Sequence, residues 1–113
     1  MTADERRLYI ALQHKLGALT AGRQRLLQQM TASNKRKIEI ELARGALEYE
    51  LVAGAMSILA NSLPFDFPSD EALADLMSST AQLAQAAQIN ASVNTLVAAF
   101  DQAIDAWPKK DLG

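Results

Sequence analysis

The chain has 113 residues, no cysteine and a formal charge of −2. That length sets a single-domain expectation spanning 1–113, and the missing thiols exclude disulfides, thiolate metal ligands and cysteine nucleophiles. Half of the residues are hydrophobic but only 5% are aromatic; Ala and Leu supply the excess, which predicts helices rather than a β-sandwich.

Charge is unevenly spread. Residues 1–50 carry nine Lys/Arg against six Asp/Glu, and residues 51–113 carry two against seven, so the halves are +3 and −5. The opening Met-Thr-Ala-Asp-Glu-Arg-Arg leads into polar, periodic sequence, not the apolar core of a signal peptide. No stretch is apolar enough to span a bilayer. The expectation is a cytoplasmic protein without membrane association.

A first helix is predicted over about 3–32, capped by Thr2 or Asp4, with Tyr9, Leu12, Leu16, Leu19, Arg23, Leu26 and Met30 as its heptad seam. Gly17 and Gly22 weaken its middle by about 1 kcal/mol each relative to Ala, or admit a close neighbour. Thr31-Ala32-Ser33-Asn34 is a turn with Ser33 or Asn34 as the next cap. The second helix, about 34–63, has one seam at Ile38, Leu42, Gly45, Tyr49, Val52, Met56, Leu59 and Leu63. A second apolar line runs through Ile40, Leu47, Leu51, Ala55 and Ile58. Its early polar face (Glu41, Arg44, Glu48) gives way to a charge-free run from Leu51 to Pro64, so this helix is expected at the centre of the fold, buried by its own chain or by another.

Leu63-Pro64-Phe65-Asp66-Phe67-Pro68 ends the helix in an extended segment. Ser69 caps a third helix, about 69–88, with Leu73, Leu76, Met77, Leu83, Ala84 and Ala87 as its apolar positions. A break at 88–92 precedes Val93, Leu96, Val97, Phe100, Ile104 and Trp107, about 91–107. The expected fold is therefore all-α, a helical bundle built on a long antiparallel hairpin plus one bent or two shorter C-terminal helices, with two favoured.

Between Asp75 and Asp101 no residue is charged. Solvated helices ordinarily carry charge and interface centres are depleted in it, so Gln82, Gln85, Gln88, Asn90 and Asn94 mark a surface that docks another protein or a second copy. Phe65 and Phe67 either plug the bundle end or form an exposed docking peptide. Lys35-Arg36-Lys37 places three cations in the first turn of the second helix, against the helix dipole. With Arg23 they form a candidate contact for an anionic partner. The plainer reading pairs Lys35 with Glu39 and Lys37 with Glu41.

Arg7 and His14, seven apart on one helix face, resemble the Arg-x(4–6)-His spacing of the HEPN ribonucleases, which implies a metal-independent nuclease. The sequence departs from that pattern at Leu8, where the family has a polar residue, and in the early position of the motif. Arg6, Arg23 and Lys35 similarly echo cationic positions of the AroQ-type chorismate mutases, but Arg44-Gly45 stands where the second helix of that family has an Arg-Glu pair. The leading expectation is a non-enzymatic protein–protein interaction module: an adaptor, small chaperone or inhibitor, homodimeric, with no cofactor and no metal. Charge-asymmetric bundles of this kind recur among phage and mobile-element accessory proteins, a likeness of class only. Nucleic-acid association through the basic tip is the second expectation, and the ribonuclease the third.

Overall fold

The computed structural model describes residues 1–108. Four α-helices account for most of them: α1 (Ala3–Gln28), α2 (Lys35–Ala60), α3 (Asp70–Gln88) and α4 (Val93–Asp105). Thr2 caps α1 in a reciprocal box with Glu5, and Ser69 and Ser92 accept from backbone amides at the starts of α3 and α4. The C-terminal stripe is thus two helices, parted by Asn90 in the left-handed region at φ 56°.

α3 keeps its expected bounds, while α1, α2 and α4 are shorter than their apolar patterns predict, each with a local cause. Asn34 donates to the Gln29 carbonyl and accepts from the Thr31 amide, closing the turn that stops α1 at Gln28. Its side chain is therefore spent on the turn and not on capping α2. At the end of α2, Ser62 turns to φ 54°, Leu63 donates back to the Ile58 carbonyl and Ser62 to that of Leu59, a Schellman closure. Ala91 donates to Ala86 in the same way after α3. α4 stops at Asp105 because Ala106 is extended and Pro108 disfavours helical geometry at Trp107.

α1 and α2 form the antiparallel hairpin, with Tyr9 and Met56 packed on one core cluster and Leu19 beside Gly45 and Tyr49. Residues 61–69 then cross the bundle end diagonally. In consequence α1 lies against all three other helices, whereas α2 lies against α1 and α4 and its backbone stays clear of α3. The central helix is α1, contrary to the expectation from hydropathy, and much of the apolar surface of α2 faces outward. Met77 and Ala84, expected inside, also point outward from α3.

The core has two parts. One joins Leu8, Leu12, Val52, Leu59 and Leu76; the other joins Leu19, Leu26, Ile38, Leu83, Leu96 and Phe100. Phe100 enters from α4 between two glycines. A Cβ on Gly45 would stand 2.5 Å from its ring, and one on Gly22 would stand 2.9 Å away. Here the glycines supply space, not backbone freedom. Nothing lies within 4 Å of a Cβ on Gly17.

The three positions should respond differently to alanine. Gly45→Ala forces the buried Phe100 ring aside and lowers stability by about 1–3 kcal/mol despite the better helix former. Gly17→Ala gains up to about 1 kcal/mol. Urea unfolding of the two variants checks the contrast, and equal responses would contradict the packing described.

Candidate functional site

Between the two core clusters lies a charged layer. Lys15 and Glu48 are both fully buried, and the Lys15 Nζ donates to a Glu48 carboxylate oxygen at 2.9 Å and to the Trp107 carbonyl at 3.2 Å. Burial holds the Lys15 ammonium below the ordinary lysine range, with Glu48 acting in the opposite direction. The contact ties α1, α2 and the segment after α4 together. Neither residue stands out in the sequence. The signal was a buried seam one step from the predicted one (Leu8, Leu12, Lys15, Leu19, Gly22, Leu26), broken by one cation and facing Glu48.

Glu41, expected on a polar face, is also buried. Arg44 bridges it to Asp101, and a longer contact reaches Asp105 at 3.7 Å. Burial pushes the Glu41 carboxyl up to about 7, the facing Asp101 adds to the rise, and Arg44 opposes it. A proton on Glu41 suits the geometry, because the facing Asp101 carboxylate can accept a hydrogen bond only from the protonated form.

Two grooves flank the hairpin. The longer is made of two adjoining clefts between the parallel helices α1 and α3. One runs from Arg7 and Met77 to Ala21 and Ala84, and the second from there to Gln28 and Gln88, where the Arg25 Nε donates across to the Ala87 carbonyl at 2.6 Å. At 1.5 Å per residue its α1 wall is about 32 Å long. Its floor is made of Ala11, Gly17, Ala18, Ala21, Ala81 and Ala84. Ile10 and Met77 stand exposed on its rim, and the lining charges are those of Arg7 and Arg25, with His14 between them and no carboxylate. Thr80, 6% exposed, lines the floor, and its hydroxyl has no hydrogen-bond partner among the described residues. The shorter groove, between α1 and α2, is lined by Leu19, Arg23, Gly45, Tyr49, Glu50 and Phe100.

The residues expected to form one neutral face are divided. Gln82, Gln85 and Gln88 are all exposed on α3. Gln88 borders the α1–α3 groove, while Gln82 lies in a shallow cleft with Asp75, Gln102 and Asp105. Asn90 accepts from Gln29 and Asn94 from Lys37, so both fasten the bundle tip. Phe65 packs edge-on against Trp107 at 5.6 Å and closes the bundle end, with Phe67 edge-on to it and half exposed.

The cations are likewise spread. Lys35, Arg36 and Lys37 are exposed at the hairpin tip, and Arg23 lines the shorter groove apart from them. Lys37 holds Asn94, and among the described residues neither Lys37–Glu41 nor Lys35–Glu39 is an ion pair. Arg7 and His14 share the α1–α3 groove. Among the described residues no group of three or more His, Asp or Glu is placed to hold a metal ion, and no helix is long and apolar enough to cross a membrane. Comparison with protein-family models, curated proteins and solved structures gave no match.

Two measurements follow from the buried charges. Lys15→Met, which strips the cation from Glu48, should cost about 3–5 kcal/mol, and adding Glu48→Leu should recover most of it. Glu41 binds its proton more tightly in the folded chain than in the unfolded one, where its value is near 4.5. Its contribution to stability is therefore full below that pH and declines as pH rises towards about 7. Glu41→Gln should flatten that decline, leaving the variant more stable than the parent under mildly alkaline conditions. Urea midpoints across the range would show parallel profiles if the group were not buried as described.

Proposed function

We propose that this protein is a non-enzymatic interaction module that seats an amphipathic helix of another protein in the groove between α1 and α3. The observation carrying this reading is the groove itself, a trough with a floor of small side chains whose rim is apolar at Ile10 and Met77 and polar towards Gln24, Gln28 and Gln88. Small residues let a helix approach closely, and two parallel walls offer the shape that helix-in-groove recognition uses. Met77 on the rim is a flexible, polarizable contact suited to such a surface.

Charge narrows the partner. Arg7, His14 and Arg25 border the groove and no acidic side chain does, so an incoming helix with Glu or Asp beside its apolar face is complementary. Residues of the proposed neutral face enter the contact through Ala81, Ala84 and Gln88. Lys35, Arg36 and Lys37 lie outside this groove and have no part in the reading.

A designed Leu/Ala/Glu amphipathic peptide provides the test. Titrated into labelled protein, it should shift resonances of Gly17, Ala81 and Ala84, and a Lys-for-Glu version should bind at least about tenfold more weakly. Gly17→Leu fills open space in the groove without touching the core. It should fold normally and lose the peptide. Equal binding of both peptides, or peptide binding undiminished in Gly17→Leu, would refute the assignment.

A further inference from the structure

The outward face of α2 carries an apolar stripe that the four helices leave exposed. Leu47 is 58% and Ile40 52% exposed, Leu51 is also exposed and Ile58 half-buried, while the backbone of α3 stays clear of this helix. At 100° per residue, Ile40, Arg44, Leu47, Leu51, Gly54 and Ile58 fall within one narrow stripe, in steps of four and three. The stripe is its own mirror image about position 49. Reversing the helix exchanges Ile40 with Ile58, Leu47 with Leu51, and Arg44 with Gly54.

We propose that two copies of this chain pair antiparallel along α2, with a twofold axis level with residue 49. A twofold interface requires one patch to complement itself, and this sequence pattern does so. Leu47 meets the partner's Leu51 and Ile40 meets the partner's Ile58, while Arg44 stays paired with Glu41 and Asp101 of its own chain and Gly54, where a Cβ would have nothing within 4 Å, leaves room for close approach.

Charge fixes the direction. Lys35, Arg36 and Lys37 oppose the dipole of their own helix, and the last turn of α2 carries no basic residue. Antiparallel pairing sets each basic tip beside the carbonyl end of the other α2 and near its Asp66. Parallel pairing would set the two tips side by side. The same arrangement gives a partner to the outward residues of the charge-free run after Glu50, Leu51 and Ile58, whose inner neighbours Val52, Ala55 and Leu59 are already in the core. The α1–α3 groove lies elsewhere and stays open, so the proposal goes beyond the helix-binding reading and does not depend on it.

Sedimentation equilibrium and cysteine pairing test it, the chain having no native cysteine. The parent protein should be a dimer, and Leu47→Glu, at an exposed position, should keep its helical circular dichroism while dimerising at least about a hundredfold more weakly. Mixed Ile40→Cys and Ile58→Cys chains should form the heterodisulfide in preference to either homodisulfide. A parent that stays monomeric at millimolar concentration overturns the proposal. So does a predominant Ile40→Cys homodisulfide, or a monomer whose Ile40 and Leu51 resonances shift only with the acidic helical peptide. Peptide binding by monomeric Leu47→Glu, and dimerisation by Gly17→Leu, separate the fate of this surface from that of the groove.

Discussion

Taking an ammonium and a carboxylate out of water costs several kcal/mol for each ion, and only close pairing with further hydrogen bonds offsets it. Lys15 and Glu48 meet that condition in one arrangement of the chain, with α1 and α2 aligned so that the two charges touch and with the Trp107 carbonyl turned onto the same ammonium. A hydrophobic seam tolerates sliding by a turn. A buried charge does not. The pair thus fixes the register of the hairpin and the exit path of α4, and the apolar clusters on either side pack against that fixed layer.

The number and order of the helices were legible because Ser69, Ser92 and the Pro-bracketed segment punctuate clear apolar periodicities. The faces were less so. The buried side of α1 runs through Leu8, Lys15 and Gly22, and a lysine and a glycine mute the signal of an inward row, so the neighbouring row through Tyr9, Leu16 and Arg23 reads as stronger. Glu41 and Glu48 look like solvent-facing residues on any hydropathy scale, and only their partners on other helices make them interior. Hydropathy also places α2 at the centre, because an apolar face left exposed reads in sequence the same as one turned into the core.

The candidate surfaces show the same division. Residues chosen for lacking charge, such as Asn90 and Asn94, turn out to hold the tip together through long-range hydrogen bonds that no local pattern announces. Gly17 and Gly22 are five residues apart on one helix. The first opens a groove to solvent, and the second admits a phenylalanine ring from α4. The difference arises from what faces them, and it decides which can be changed freely.

The diagonal path of residues 61–69 has a kinetic side. Because the chain crosses the bundle end, α1 packs beside α3 and α2 beside α4, parallel pairs whose members are separated by an intervening helix. Contacts of such long sequence separation slow folding relative to a bundle wound by nearest neighbours. The hairpin can zip first, yet the faces of α1 bearing Ala11 and Ala18, and of α2 bearing Gly45, stay uncovered until the last fifty residues have been made. The α1–α2 half-bundle by itself therefore leaves its inner side open to water until α3 and α4 dock on it.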